Sequence, residues 1–503
     1  MTSAASRKVV LFLPPYAGKV YGPPLGLLSL AASLRQAGYE PHIIDGALRR
    51  DWLHAIEEEV SNCLCFGVSL LTGPMIHDAI AASRLVRCRR PEAPVIFGGW
   101  HPSLLTAETL REDFVDVVVR HQGDRTLVEI LDRITSGGGL DMVPGCWFKR
   151  AGRIHHNPDR PSIPLSELPI PAYDLVDFDA YERVTGERVA PYATSIGCPY
   201  ACNYCTDTVF YNRRFNPCDA ARVVEEMTSL VRRHRLEAVS LVDSNFLVDT
   251  DRATAIARGI VDSGVRFRWT FQASTDLLCR MDDEEVRLLA ASGVSHIGFG
   301  TESASPEVLR AMNKRHQNVP DIYEAARKCS RVGIRVMLNL ILGYPGEEER
   351  HRKETLNVMG EIASLYENVG FSPNVFVPYP GIPIWPELRA MGMTEPASLE
   401  EWARIELGAN TLPWLRGRVF ARLQRNISYF LLDDRLKKVR AQSRSRFVRS
   451  VLGAIRRPLA WRLKRSLFDL PLELWLSMAH RWLVVRRSLL TGKGLSHVLR
   501  KYS

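Results

Sequence analysis

Along the first 150 residues, short runs of consecutive apolar residues alternate with stretches whose apolar positions recur every three or four residues. The first pattern suits strands buried on both faces, the second amphipathic helices. KVVLFLPP (8–15) predicts a strand. PPLGLLSLAASLRQAG (23–38) predicts a helix, with Leu27, Leu30, Ala31 and Leu34 on one face and Gly38 as its stop. EPHIID (40–45) and CFGVSL (65–70) predict further strands, and 75–88 a helix. PVIFGGWHP (94–102) reads as a strand ending in a glycine-rich turn, and VDVVVRHQGD (115–124) as a strand leading to a helix over 126–134. This alternation predicts a doubly wound parallel sheet over 1–150, with a flexible break at Gly137-Gly138-Gly139.

Residues 151–185 are proline-rich and lack helical periodicity, which predicts an extended connector. Over 186–400 the alternation resumes, with candidate strands PYATSIG, AVSLVDS, FRWTFQAS, SHIGFGTE, RVMLNLILG and GFSPNVFVP. Six such strands exceed a minor subdomain and predict a partial (β/α)6 barrel. From 401 to 503 the pattern is helical only, with Leu415, Val419, Leu423, Ile427 and Phe430 sharing one face. The expected fold class is α/β: a doubly wound domain, a partial barrel and a helical C-terminal region.

Composition adds little to the fold but divides the chain by charge. The 503 residues are 46% hydrophobic, an ordinary globular value, with a net charge of +10. Residues 411–503 hold 22 Lys and Arg against 4 Asp and Glu, so the rest is mildly acidic, at −8. Trp461, Trp475 and Trp482 stand among the tail's leucines and valines, as in basic amphipathic helices that lie on an anionic membrane. A helical cap over the barrel with a solvated basic face is the alternative. No recognised motif accompanies the charge, so no nucleic-acid partner is expected. The apolar stretch Val9 to Leu13 is too short for a secretion signal, and no run approaches the roughly 20 apolar residues of a membrane span. Ten cysteines are too sparse for a disulfide scaffold. The expected location is the cytoplasm, with contact at the inner face of the membrane confined to 411–503.

Three cysteines cluster. SIGCPYACNYC places Cys198, Cys202 and Cys205 in one Cys-x3-Cys-x2-Cys loop directly after a predicted strand, close enough to hold one soft metal centre. A structural zinc site normally has four ligands, and no second Cys-x2-Cys or His pair follows at finger spacing. Cys218 could be a fourth ligand, but reads better as a small buried hydrophobe. Three thiolates on an iron–sulfur cluster leave one iron open to a chelating ligand. The loop, with Tyr204 before its third cysteine, resembles the cluster motif of radical S-adenosylmethionine enzymes. That resemblance implies a 4Fe-4S cluster whose open iron chelates S-adenosylmethionine, cleaved by one electron to a 5′-deoxyadenosyl radical. It places Tyr204 near the adenine. It also implies cofactor contacts at successive strand ends: Asp243 and Ser244 toward the methionine amino group, Gln272 and Ser274 toward the ribose, Glu302 as a polar contact, and Ile341 and Gly343 behind the adenine.

In the N-terminal domain the predicted strand ends carry Ser69-Leu70-Leu71-Thr72-Gly73, Gly98-Gly99-Trp100-His101 and Gln122-Gly123-Asp124. Glycines there let backbone approach a large flat ligand, while Ser69 and Thr72 offer hydroxyls; ordinary turn chemistry is the alternative. No G-x-G-x-x-G follows the first strand, against a dinucleotide site. Placed ahead of such a barrel, PPLGLLSLAASL and FGGWHPSLL resemble segments of the cobalamin-dependent branch of the family. The resemblance implies a cobalamin held by Ser69, Thr72, Gly98, Gly99 and Gly123, with no axial histidine because Asp-x-His-x-x-Gly is absent. His121-Gln122-Gly123-Asp124 departs from the branch's usual Gly-Glu-Gly-Glu.

The implied activity is methyl transfer to an unactivated carbon of a lipophilic or secondary-metabolite substrate, with flavodoxin or ferredoxin as electron donor. A radical cyclisation or ring rearrangement within the same family is the alternative. A non-catalytic, membrane-associated binding protein is a third reading, opposed by the intact cysteine triad. No residue is assigned as an acid, base or nucleophile.

Overall fold

The computed structural model describes residues 6–468 apart from 18, 407–411, 444 and 466. Trp475 and Trp482, invoked for membrane contact, lie outside the described residues. The first sheet contains β1 (Lys8–Leu13), β2 (Glu40–Asp45), β3 (Cys65–Ser69), β4 (Val95–Gly98), β5 (Val117–Val119), β6 (Cys146–Arg150) and β7 (Arg153–His156). Their order is β2-β1-β3-β4-β5-β6-β7. The first five run parallel, while β6 and β7 are antiparallel. Helices cover both faces, so β1 buries Val9, Val10, Leu11 and Phe12 in succession instead of alternating. Chain direction reverses beside β1, and such a switch point opens a crevice at the strands' C-terminal ends.

The β6–β7 hairpin was not expected. It extends the first sheet to His156, so the boundary at residue 150 falls inside a hairpin turn. His155 there stacks on Phe148, with ring centroids 5.3 Å apart.

The second sheet is wholly parallel. It comprises β8 (Val189–Tyr192), β11 (Ala238–Leu241), β12 (Arg268–Ala273), β13 (Val294–Glu302), β14 (Arg335–Leu342) and β15 (Val369–Val375), in the order β15-β14-β13-β12-β11-β8. This is the expected six-stranded partial barrel. Along β14, Val336, Leu338, Leu340 and Leu342 are buried against helices, while Arg335, Met337, Asn339 and Ile341 face the lumen half-exposed. The first predicted strand, PYATSIG, divides in two. After β8 the chain turns, and β9 (Ser195–Ile196) pairs antiparallel with β10 (Asn216–Pro217), framing the cysteine loop between them.

The C-terminal helices close the barrel's open edge. Helix Gly417–Gln442 lies across β15 and buries Leu423, Ile427 and Phe430, whose ring meets Phe371 edge-on at 5.4 Å. Full burial of each such side chain contributes about 1.5–3 kcal/mol. Val419, expected on the same face, is 47% exposed, because it opens onto a groove between this helix and helix Glu349–Leu365. The helix is also pinned by buried charge. Lys437 donates to the carbonyls of Val369 (2.9 Å) and Tyr366 (3.2 Å), and Asp434 accepts from Arg335 at 2.7 Å. Helix Arg446–Lys464 packs beside it and on helix Glu349–Leu365, where Gly360 permits close approach: a Cβ there would meet the Leu463 carbonyl at 2.2 Å. Arg456 fastens this helix through Asp433 (2.7 Å) and the Ala363 carbonyl (2.9 Å). Arg456→Met should therefore lower stability by about 1.5–3 kcal/mol, since it removes one of the two cations that pair with buried Asp433 and leaves Lys437, at 3.2 Å, as the other. Denaturant unfolding followed by circular dichroism checks this. No described helix is long and apolar enough to cross a membrane.

Candidate functional site

A cavity of about 600 Å³ lies where the C-terminal ends of the two parallel sheets face each other. Its floor is the N-terminal switch point, with Ser69, Gly98, Gly99, Gly123 and Asp124. Its roof comes from the barrel, with Ser195, Asp207, Phe210, Tyr211 and Ser244. Four of the five residues expected to hold cobalamin line this cavity. Thr72 does not: it is buried, and its hydroxyl pairs with Nδ1 of the buried His101 at 2.9 Å. Its position in the loop was read correctly, but the side chain turns inward to satisfy the histidine. His101, buried beside the glycine turn, thus has a structural partner in Thr72.

The floor suits a large flat ligand. A Cβ at Gly98 would meet only Val119, at 3.6 Å or more, so its backbone stands open to the cavity. Gly99 has φ +93°, and a Cβ there would press on the Leu70 backbone at 2.9 Å; only glycine permits this turn. Asp124 accepts from the Ser29 hydroxyl at 2.6 Å, and burial holds its carboxyl above the usual range. Such carboxyl and hydroxyl groups on an otherwise apolar wall can meet amide substituents of a macrocycle.

The cysteine loop lies between Ile196 and Asp207, two residues that line the cavity. Cys202 is buried, and Cys198 and Cys205 are half-buried. Burial raises all three thiol pKa values; neighbouring thiols add to this at Cys198 and Cys205, while Lys314 opposes it at Cys202. A buried thiolate set of this kind is stabilised by a bound cation. Among the described residues, no three His, Cys, Asp or Glu side chains converge as a single-ion site. Three cysteine thiolates fit an iron–sulfur cluster with one open iron better than a structural zinc ion, which takes four protein ligands. Cys218 is buried in the barrel core, its carbonyl accepting from Arg252 at 2.7 Å, consistent with a structural role.

The loop is held from both sides. Asp243 is buried and accepts from the Thr194 N–H at 2.8 Å and from the hydroxyls of Thr194 and Ser195. It was expected to receive an amino group, yet its oxygens are directed to the strand pair that frames the cysteines. Its role here is to position that loop. On the other side, Asn203 donates to the Ala311 carbonyl at 2.8 Å and Asn313 to the Ala201 carbonyl at 2.7 Å. Tyr200 stacks on His316, with centroids 3.6 Å apart.

The remaining expected contacts gather at the barrel's mouth and lumen. Ser244 lines the shared cavity and hydrogen-bonds Asp207, whose carboxyl burial raises above the usual range. Gln272 is exposed toward the lumen and accepts from Asn339 at 3.2 Å, while Ser274 accepts from Asn245 at 3.3 Å. Glu302 follows a register shift at the end of β13 and has φ +59°, a turn that aims its carboxylate at Lys314, 3.4 Å away. Ile341 and Tyr204 pack against the same apolar cluster as Tyr344, whose ring meets Tyr204 edge-on at 6.4 Å. Gly343 donates its N–H to Glu347 at 2.6 Å, and its carbonyl accepts from Trp414 at 2.9 Å. The C-terminal region therefore reaches the site.

Three features escaped the sequence reading. Lys314 is buried 3.5 Å from the Tyr204 hydroxyl. Burial lowers its pKa, but Glu302 and the thiols of Cys202 and Cys205 outweigh this and hold it above the ordinary lysine value. Asp207, two residues beyond Cys205, joins the cysteine wall to the cavity. Trp100 stacks on Phe210 at 4.1 Å, bridging floor and roof. Only the proximity of Asp207 to the triad offered a sequence signal.

Residues 192–359 match the family model of the Radical SAM superfamily, and residues 18–131 that of the B12 binding domain. The chain is 27% identical over 388 residues to the "Uncharacterized methyltransferase PH0819" of Pyrococcus horikoshii, covering 75% of this chain and 82% of that protein. It is 25% identical to the hopanoid C-3 methylase of Methylococcus capsulatus (72% and 68% covered). Identity is also 25% to the anaerobic magnesium-protoporphyrin IX monomethyl ester cyclase of a Synechocystis strain (68% and 70% covered). In fold it resembles the radical S-adenosylmethionine methyltransferase TsrM of Kitasatospora setae, with TM-score 0.66, 21% identity and 79% and 81% coverage. It also resembles the cobalamin-dependent radical enzyme OxsB, with TM-score 0.73, 15% identity and 91% and 71% coverage.

Proposed function

Because the chain belongs to the radical S-adenosylmethionine enzymes that carry a cobalamin-binding domain, we propose that it methylates an unactivated carbon of a small, lipophilic or secondary-metabolite substrate. The cavity walled by the N-terminal glycine loops on one side and, on the other, by Ile196 and Asp207, which bracket the cysteine loop, carries this reading. Cobalamin supplies a transferable methyl group, and the 4Fe-4S cluster with S-adenosylmethionine supplies radical chemistry.

Cys198, Cys202 and Cys205 hold the cluster, and Asp243 fixes the frame of their loop. Lys314, already charged and anchored by Glu302, offers its ammonium to the carboxylate of S-adenosylmethionine. Tyr204, Ile341 and the Gly343 turn form the apolar wall for its adenine. Ser69, Gly98, Gly99 and Gly123 would seat the corrin, and the Trp100–Phe210 stack would help exclude water from the cavity. The electron comes from a flavodoxin- or ferredoxin-like donor.

Anaerobic reaction with methyl-labelled S-adenosylmethionine and an extract of the producing organism tests the proposal. Methyl transfer yields a labelled product together with S-adenosylhomocysteine and 5′-deoxyadenosine. The cyclase relatives support a second reading, for which 5′-deoxyadenosine would form without S-adenosylhomocysteine. Lys314→Met should weaken S-adenosylmethionine binding about 10- to 100-fold, because charged hydrogen bonds contribute about 1.5–3 kcal/mol. Equilibrium dialysis against the reconstituted protein measures this.

A further inference from the structure

Helix Arg446–Lys464 contains six Lys and Arg and no Asp or Glu. Its inner face is fixed to the barrel by Arg456, Leu459 and Leu463, all buried. The outer face is apolar. Phe447, Val451 and Ile455 recur every four residues and are 76%, 41% and 51% exposed, with Val448 beside them. Trp461 continues the exposed surface.

On the other flank of the helix's outer surface lies a basic recess of about 400 Å³, lined by Arg440, Arg449, Ser450, Gly453, Arg457 and Glu367. Glu367 is engaged by Arg440 and Arg456. Among the described residues, Arg449 donates to the Ser443 carbonyl, and neither it nor Arg457 has an acidic partner. Two guanidinium groups thus face the recess without a carboxylate.

We infer that this helix is a docking surface for the anionic face of a lipid bilayer. The apolar stripe would enter the acyl boundary, and the recess would take a headgroup phosphate. Both charge and apolar area are required for such a surface, and both lie on one helix. The surface lies outside the cofactor cavity and is independent of the reaction proposed there.

Co-sedimentation of the full, cofactor-loaded chain with vesicles tests it. Binding is expected to phosphatidylcholine vesicles that contain phosphatidylglycerol, with release by high salt. The double variants Phe447→Asp/Ile455→Asp and Arg449→Glu/Arg457→Glu alter exposed side chains. Each should weaken binding at least about tenfold while S-adenosylmethionine cleavage and the melting temperature stay unchanged. Equal binding to pure phosphatidylcholine would overturn the inference, as would full binding by both variants. Loss in Trp475→Asp/Trp482→Asp alone would also overturn it by assigning the contact to residues 469–503.

Discussion

Cys202→Ala is expected to abolish cleavage of S-adenosylmethionine, a loss of at least about 10³-fold, because the reaction depends on a cluster the variant cannot hold. Cys202 is the buried member of the triad, and its loop is clamped by Asp243 on one side and by Asn203 and Asn313 on the other. The neighbouring segments would still fold, so the effect should be local. Iron and acid-labile sulfide should fall to background after reconstitution, while cobalamin still binds to the N-terminal domain. Retained iron with unchanged cleavage would contradict the assignment. Together these readouts separate loss of the cluster from loss of the fold.

Gly98→Phe should produce the complementary defect. Residue 98 ends β4 at the floor of the cavity, and its backbone opens toward the ligand space without a positive φ. A benzyl group there would occupy the corrin's position with little backbone strain. Cobalamin affinity should fall about 100-fold or more, a shift of roughly 2.7 kcal/mol, as read from cofactor retained on gel filtration. Cleavage of S-adenosylmethionine by the reduced cluster should persist. The equivalent change at Gly99 would be less informative, because its left-handed turn and contact with Leu70 make misfolding the expected result.

The elements whose pattern follows directly from burial were clear in the sequence. β1 is apolar throughout because helices cover both its faces, and β14 alternates because one side faces the lumen. The triad was evident because three thiols within eight residues have few structural uses. Direction of side chains was not evident. Asp243 and Thr72 lie at the expected strand ends, but each turns inward to a local partner. Lys314 and the Trp100–Phe210 stack arise from contacts between distant segments, which no local pattern reports. The β6–β7 hairpin was missed because it follows a triple glycine and its edge strand β7, Arg-Ile-His-His, carries little apolar signal. The tail posed a different problem. An amphipathic helix reads alike whether its apolar face meets a barrel or a membrane. Helix Gly417–Gln442 places that face on β15, whereas helix Arg446–Lys464 also keeps an outer apolar face exposed.

Electron paramagnetic resonance of the anaerobically reconstituted chain, with cobalamin in its Co(II) state and the cluster reduced, tests the shared cavity most directly. Cofactors facing each other across one cavity predict a cob(II)alamin signal broadened and fast-relaxing through the cluster's spin, and a sharp signal in Cys202→Ala. Identical, unperturbed cob(II)alamin signals in both proteins would contradict the account.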